Sequence, residues 1–453
     1  MSDDQAKTTY RIERDPLGEV PVSASALYGV QTTRALENFQ ISRLRVHPSL
    51  LAAFAEIKKA SAEANMQTGK LEPELGAAII RAADEVIAGR WQEQFQLDVF
   101  QAGAGTSYNM NVNEVIANRA LEILGAKRGD YSRLNPNDHV NQSQSTNDTM
   151  PTAMRLASTR LLRELVKTLD QLAHSLTAKS EEFAEIIKSG RTHLHDATPM
   201  TLGQEFGGYA GNLKRAVERL RATEAALLEV PLGGTAIGTG VNTHPDYARL
   251  AVTRLAAITG LELREAADRI QSQQSLGDFV AVSSAVRGLA VELNKIANDL
   301  RLLDSGPHTG LFEIELPALQ PGSSIMPGKV NPAIPEMLNM VCFHLIGHDL
   351  AITMCAEAGQ LELNVMMPYV AYALLESLEV LTNAARTFDE KCVRGIKAHP
   401  ERCREYAEQS VGRAALLNEE LGFMGAAAVA QQAIKSGKSI SELVTQKHSP
   451  KQA

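Results

Sequence analysis

The feature that most constrains this chain is a set of apolar seams that continue far longer than an ordinary globular helix requires. Leucines advance by three and four residues through 162–176, which places them on one face of an α-helix. Leu213, Val217, Leu220 and Leu227 form a second seam at helical spacing. A third seam runs for about seven turns through 279–303. Long helices with seams near the heptad period pack at shallow angles into bundles. The sequence therefore predicts a mainly all-α fold built on a central bundle of long helices.

The chain is also too long for one ordinary core. At 453 residues it favours two or three subdomains. We predict an N-terminal mixed and helical domain over 1–145, the long-helix bundle over 146–396 and a small C-terminal helical domain over 397–453. So many apolar seams indicate that the bundle continues across subunits. We therefore expect a homo-oligomer with a multi-subunit helical core.

Composition excludes several classes of partner. A formal net charge of -8 argues against nucleic acid as the main ligand. The N-terminal residues Met1–Lys7 lack the apolar stretch of a signal peptide, and no uninterrupted apolar run is long enough to cross a bilayer. We expect a cytoplasmic protein with no membrane or nucleic-acid partner.

A metal site is not predicted either. His344 and His348 are four residues apart and could share one face of a helix. However, the residue after the first histidine is leucine, so the HExxH pattern of zinc enzymes is missing. Nucleotide cofactors are likewise unsupported, because neither GxxxxGK[ST] nor a strand-linked GxGxxG occurs.

Four stretches far apart in the sequence are rich in uncharged hydrogen-bond donors. They lie around Thr106, Ser145, His193 and Ser323. Each one alone is also compatible with a structural loop or a helix cap. Several such clusters on one bundle favour a site for a small molecule with more than one carboxylate.

The richest of these stretches is residues 322–332, GSSIMPGKVNP. Its glycines permit unusual backbone angles and its prolines restrict the chain, so a shaped loop is predicted between two helical regions. Ser323 and Ser324 can donate hydrogen bonds, Lys329 carries a positive charge and Asn331 can donate through its amide. These groups suit a negatively charged ligand.

Residues 322–332 resemble a characteristic motif of the fumarase/aspartase superfamily. The segments Gly105–Ser107, Ser145–Asp148 and Gly190–His193 resemble further motifs of that family, in the same order and spacing. The resemblance covers essentially the whole chain. It implies an enzyme that performs a reversible anti elimination on a small dicarboxylate through an aci-carboxylate intermediate.

The resemblance also implies roles for individual residues. Ser323 is the expected base, and Glu336 is expected to polarise His193. The carboxylate that gains charge is expected to be bound by Thr106, Ser145, Thr146 and Ser324. The other carboxylate is expected to be held by Thr192, Lys329 and Asn331, with Asn147 and His193 near the leaving amine and Met326 among the substrate contacts. No cofactor is required by this scheme, although activation by a divalent cation is compatible with it.

Within the superfamily, Gly105–Ser107 and residues 356–366 resemble the ammonia-lyase branch, which converts L-aspartate to fumarate. Asp196–Pro199 and Pro231–Ala236 are closer to class II fumarases, which hydrate fumarate to L-malate. We expect the ammonia-lyase, with fumarase as the alternative. A non-catalytic structural protein with the lyase fold, as in lens crystallins, is a remote third. The resemblance further implies a homotetramer in which each site combines residues from three subunits.

Overall fold

The computed structural model describes residues 9–448, and side chains are described through Thr445. The predictions for Met1–Lys7 and for the end of the C-terminal domain lie outside these residues. The helices are α1 (Val30–Asn38), α2 (Pro48–Gln67), α3 (Pro73–Ile87), α4 (Thr106–Ile123), α5 (Thr146–Glu182), α6 (Leu202–Leu227), α7 (Tyr247–Thr259), α8 (Arg269–Gln274), α9 (Gly277–Leu303), α10 (Ala333–Glu357), α11 (Met367–Lys391), α12 (Pro400–Gln409), α13 (Asn418–Ser436) and α14 (Ile440–His448).

Short strands pair two by two between these helices. They are β1 (Tyr10–Asp15), β2 (Gly18–Ser23), β3 (Ile187–Thr192), β4 (His195–Thr201), β5 (Glu229–Val230), β6 (Arg264–Glu265), β7 (Ile314–Glu315) and β8 (Lys397–Ala398). The pairs are β1 with β2, β3 with β4, β5 with β6 and β7 with β8. Because no larger sheet forms in the described part of the chain, the prediction of a mainly all-α fold is confirmed.

The predicted apolar seams are buried in the long helices. Leu162, Leu165, Leu169, Leu172 and Leu176 each have 0% exposure. They lie on α5, which is 37 residues long and therefore extends for roughly 55 Å at the rise of an α-helix. The seam through 279–303 lies on α9 and is buried along its whole length. Helical spacing therefore identified the bundle helices correctly.

The chain divides into two compact units. Unit 1 contains residues up to Glu164 together with Leu220–Arg287 and Leu345–Glu379, and unit 2 contains Leu165–Arg219, Gly288–His344 and the residues from Val380 onward. In unit 1, α2 packs against α3 and α7. In unit 2, the β3–β4 hairpin packs against α12 and against the short helical turn Val411–Leu417 that follows α12. The three predicted domain ranges are a different division, and they stay a prediction.

Helix α10 is long and rich in apolar residues. By length and composition it could cross a bilayer, with a mean hydropathy of 1.3 in its most apolar window. Its Asp349 is nevertheless buried, where it accepts a 2.8 Å hydrogen bond from Ser283 Oγ. Large apolar side chains at spacings of three, seven and four residues stay exposed in the single chain: Met340, Phe343, Leu350 and Met354. We call these four residues the α10 seam.

Candidate active site

The first predicted donor lies at the start of α4. A tight turn over Gly103–Gly105 leads directly into Thr106, the first helical residue. Gly105 has a φ of +82°, and a Cβ at this position would lie 2.7 Å from Met150 Sδ. Only glycine satisfies both constraints without strain. Thr106 is therefore held, exposed, at a helix N-terminus, where unpaired backbone amides favour a negatively charged ligand.

The second group of donors lies at the start of α5. Ser145 precedes the helix, and its Oγ accepts a 3.2 Å hydrogen bond from Asn147 N. Thr146 is almost completely buried, whereas Ser145 and Asn147 are half-buried. From the sequence, Pro151 is expected in the first turn of a helix that follows the polar run 141–148. The helix begins earlier, at Thr146, so Pro151 lies within its second turn.

Asp148 holds this segment in place from inside the protein. Its side chain is buried and accepts hydrogen bonds from the backbone amides of Ser145 at 2.9 Å and of Gly233 and Thr235 at 3.0 Å each. Burial nevertheless raises the pKa of the Asp148 carboxyl to about 6. The same carboxylate thus connects the start of α5 to the 231–236 segment of unit 1.

Sequence reasoning missed a network of amides behind Thr146. Asn109 lies three residues after Thr106 on α4, and its Nδ2 donates to Thr146 Oγ1 at 3.1 Å. Behind Asn109 is Lys58 of α2, whose ammonium lies 2.7 Å from Asn109 Oδ1. The helical spacing of three from Thr106 could have identified Asn109. Nothing in the local sequence marks Lys58.

The predicted histidine lies at the tip of the β3–β4 hairpin in unit 2. Thr192 pairs with His195, so His193 and Leu194 form a two-residue turn. Both turn residues have positive φ, 55° and 60°, as a type I′ turn requires. Neither is glycine, so the turn is strained, and strain of this kind concentrates at functional sites. Thr192 and His193 are both exposed.

A buried ion network supports this hairpin. Glu313 has 0% exposure and lies 3.0 Å from both Arg191 and Lys188. Lys188 also contacts Glu205 at 2.6 Å. Lys188, Arg191, Glu205 and His193 line a cavity of about 370 Å³. Two cations against the buried Glu313 compensate its charge and fix the strand that leads into Thr192.

The loop over residues 322–332 is shaped by its own backbone. Lys329 O accepts from Gly322 N at 2.7 Å, and Asn331 Nδ2 donates to Gly322 O at 2.7 Å. Met326 O accepts from Lys329 N at 3.3 Å across a turn with Pro327 second and Gly328, at φ +82°, third. Proline and glycine in that order suit a type II turn. The predicted shaped loop is present.

Ser323 sits in this loop with its oxygen facing two backbone donors. Its Oγ accepts hydrogen bonds from Met326 N at 2.9 Å and Ile325 N at 3.2 Å. Two amides directed at one oxygen stabilise negative charge on it. The loop therefore supplies part of the support that an ionised serine would need.

The remaining predicted groups of unit 2 lie in and after this loop. Asn331 is half-buried, whereas Ser324, Met326 and Lys329 are exposed. Glu336 lies in the first turn of α10, where its carboxylate is 3.8 Å from Arg301 Nη2. Within residues 9–448, no hydrogen bond or ion pair joins Glu336 to His193. Polarisation of His193 by Glu336 therefore stays a prediction.

The predicted site residues thus fall into two sets. Unit 1 brings together Thr106, Ser145, Thr146 and Asn147 at two helix N-termini. Unit 2 carries Thr192, His193, Ser323, Ser324, Met326, Lys329, Asn331 and Glu336 on a hairpin, a loop and a helix start. Both sets are rich in donors and poor in carboxylates, which is the chemistry of a site for an anion.

Comparison with known proteins identifies the class. The family model described as Lyase matches residues 18–347, which is well over half of the chain. The chain belongs to this lyase family.

Individual relatives refine this assignment. An aspartate ammonia-lyase from a Bacillus species is 49% identical over 436 residues, covering 96% of this chain and 93% of that protein. Among solved structures, a Brucella melitensis fumarate lyase:delta crystallin bound to cobalt is 49% identical with a TM-score of 0.94, covering 97% of this chain and 96% of that one. A class II fumarase from Schistosoma mansoni is 36% identical with a TM-score of 0.93, covering 96% and 95%.

Proposed function

We propose that this lyase catalyses the reversible anti elimination of ammonia from L-aspartate, giving fumarate. The observation that carries the proposal is the environment of Ser323, whose oxygen accepts two loop amides. The identity of 49% to an aspartate ammonia-lyase, against 36% to a class II fumarase, favours ammonia as the leaving group. The donor-rich N-termini of α4 and α5 supply the chemistry to bind a dicarboxylate.

The first chemical step is removal of a proton from carbon. Ser323, as an alkoxide, takes the proton from the carbon beside one carboxylate, and the electron pair moves into that carboxylate to give an aci-carboxylate. An ordinary serine is far too weakly acidic to be ionised, so it needs a stabilised anion. The amides of Ile325 and Met326 contribute to that stabilisation, and Lys329 of the same loop adds positive charge.

The second step expels the amine. The electron pair returns from the aci-carboxylate to form the carbon–carbon double bond, and the carbon–nitrogen bond breaks on the opposite face. We assign the carboxylate that gains charge to Thr106, Ser145, Thr146 and Ser324. We assign the other carboxylate to Thr192, Lys329 and Asn331. We assign the amine to Asn147 and His193, with Glu336 polarising His193. Met326 is assigned a further contact with the substrate. Donors that strengthen as charge develops lower the barrier.

We further propose that the enzyme is a homotetramer whose sites combine residues from three subunits. The α10 seam supports this assembly because its four apolar side chains are 57–65% exposed in the single chain. Covering that exposed part is worth about 4–7 kcal/mol per helix, at roughly 1.5–3 kcal/mol for a whole side chain. Their spacing of three, seven and four residues matches a helix-to-helix seam. Light scattering tests this, and an active monomer would contradict it.

We propose a cytoplasmic enzyme that acts without a cofactor and binds neither nucleic acid nor a membrane. A divalent ion could still raise turnover. Among the described residues of unit 1, His348 and Glu376 can each offer a ligand atom, and their side chains lie 3.4 Å apart. Turnover in the presence of a chelator tests the requirement. Turnover that the chelator abolishes and added Mg²⁺ restores would contradict the proposal.

The decisive assay follows fumarate by its ultraviolet absorbance with L-aspartate and L-malate offered separately. Fumarate from L-aspartate alone supports the proposal, whereas fumarate from L-malate alone would establish the fumarase alternative. Product from neither substrate would favour the structural protein. Ser323→Ala should lower kcat about a thousandfold. Its matched control is Ser305→Ala, because Ser305 Oγ also accepts a loop amide, from Leu311 at 3.1 Å, and this variant should retain turnover.

A further inference from the structure

Lys58 of α2 is a buried cation in an unusual environment. It has 0% exposure, and its ammonium is surrounded by three neutral amide oxygens: Asn109 Oδ1 at 2.7 Å, Asn141 Oδ1 at 3.0 Å and Gln144 Oε1 at 2.9 Å. An ammonium has three donors and no acceptor, so these contacts use all of its N–H groups. Within the described residues, no carboxylate lies in ion-pair distance of it.

Such an arrangement costs stability. Burial lowers the pKa of Lys58 from 10.5 to about 7, although the charge of Asp148 acts in the opposite direction. An apolar side chain of similar length would avoid this desolvation. A residue that is costly to the fold and fully hydrogen-bonded therefore calls for another explanation.

The three contacts fix the direction of the hydrogen bonds around them. Because the protonated Lys58 ammonium can only donate, the amide oxygen of Asn109 must face it. The amide nitrogen of Asn109 must then face the other way, toward Thr146 Oγ1 and Asn141 Oδ1, each at 3.1 Å. Thr146 Oγ1 thus accepts a hydrogen bond. Among residues 9–448 its own hydroxyl proton has no acceptor, so that proton is available to a ligand.

We propose that Lys58 is a positioning residue that acts through Asn109 to hold the Thr146 hydroxyl as a donor toward the substrate carboxylate. This inference rests on the proposed function, in which Thr146 binds the carboxylate that gains charge. A hydroxyl that accepts one hydrogen bond becomes a stronger donor in the next. We call the chain of hydrogen bonds from Lys58 through Asn109 to Thr146 the relay. Since the carboxylate is most negative in the transition state, the relay acts mainly on kcat.

Asn109→Asp is the sharpest test of this relay. Aspartate keeps an oxygen toward Lys58 and gives it a charged partner, so the free energy of unfolding should stay equal or rise. The same change replaces the donor nitrogen by an acceptor, which turns the Thr146 proton inward. We expect kcat for L-aspartate to fall at least tenfold in a protein that is no less stable. Normal kcat in Asn109→Asp would overturn the proposal.

Lys58→Met gives a second, independent test. Its matched control is Lys59→Met, because Lys59 is the next residue of α2 and forms a surface pair with Asp84 at 2.7 Å. We expect kcat to fall about ten- to a hundredfold in Lys58→Met and to change less than twofold in the control. In a Thr146→Val background, which lacks the hydroxyl, Lys58→Met should lower kcat less than twofold further. An equal loss in both backgrounds would overturn the relay, and should Lys58→Met fail to fold, Asn109→Asp decides alone.

The proposed function is tested separately by the wild-type enzyme. If the wild type released no fumarate from either L-aspartate or L-malate, the proposed function would fail. The relay would then be judged by calorimetric binding of succinate, an unreactive dicarboxylate. Asn109→Asp should raise the Kd of succinate at least threefold while Lys59→Met leaves it unchanged. An unchanged Kd in Asn109→Asp would overturn the relay.

Discussion

Replacing Gly105 by alanine tests whether the turn before α4 sets the position of Thr106. Gly105 has a φ of +82°, and an added Cβ would lie 2.7 Å from Met150 Sδ and 3.0 Å from its Cγ. A left-handed backbone costs alanine roughly 1–2 kcal/mol, and overpacking adds roughly 1–3 kcal/mol. We therefore expect Gly105→Ala to lose about 2–5 kcal/mol in free energy of unfolding.

The same helix provides a matched control at its other end. Gly125 also has a left-handed backbone, with a φ of +72°, but an added Cβ would meet nothing within 4 Å. Gly125→Ala therefore carries only the backbone cost of roughly 1–2 kcal/mol. Urea unfolding followed by circular dichroism, at one fixed protein concentration, measures both variants.

Activity separates the two variants further. The clash at Gly105 displaces the residue next to Thr106, and a misplacement near 1 Å can cost about a hundredfold in rate. We expect kcat/KM for L-aspartate to fall at least tenfold in Gly105→Ala and to be retained in Gly125→Ala. Equal stability losses in the two variants would show that Met150 does not restrict this turn. Normal kcat/KM in Gly105→Ala would refute the role of the turn in placing Thr106.

Three further predictions follow from contacts elsewhere. Glu313→Gln leaves Lys188 and Arg191 without their buried carboxylate, so urea unfolding should show a loss of roughly 3–5 kcal/mol. The unfolded chain keeps the Lys58 proton up to pH 10.5, whereas the folded chain loses it at about pH 7. Between those values this lysine therefore makes the free energy of unfolding rise with pH, by up to about 1.4 kcal/mol per pH unit. Urea midpoints measured from pH 7 to 10 should rise less in Lys58→Met than in the wild type. Phe343→Glu in the α10 seam should yield smaller species by light scattering, whereas Leu17→Glu, at an exposed turn residue, should not.

Much of the helical architecture could be predicted because the spacing of apolar residues along the sequence determines it locally. The seam through 279–303 marks α9 directly, and Gly69–Pro73 separates α2 from α3 as the breaker residues indicate. The β3–β4 hairpin was not predicted. Its turn residues are His193 and Leu194, which lack the asparagine or glycine that usually announces a type I′ turn.

The site could be predicted only where its residues form continuous motifs. Residues 322–332 are conspicuous because donors, glycines and prolines are concentrated in one segment. Lys58 is not conspicuous, because its partners Asn109, Asn141 and Gln144 are 51, 83 and 86 positions away. Its neighbour Lys59 has the same side chain but pairs with Asp84 at the surface. Tertiary packing alone distinguishes the two lysines.

The charges around Thr146 favour an anionic ligand beyond what motif resemblance implies. Thr106 and Thr146 begin helices α4 and α5, and helix N-termini carry partial positive charge. A cation near such an N-terminus is electrostatically unfavourable, yet the buried ammonium of Lys58 contacts Asn109 in the second turn of α4. Asp148 offsets this only in part, because its carboxylate is already directed at three backbone amides. When Lys58 is protonated, its charge therefore lies behind the Thr146 hydroxyl without a carboxylate partner, and a bound carboxylate would offset it. A bound dicarboxylate should therefore raise the free energy of unfolding of the wild type more than that of Lys58→Met.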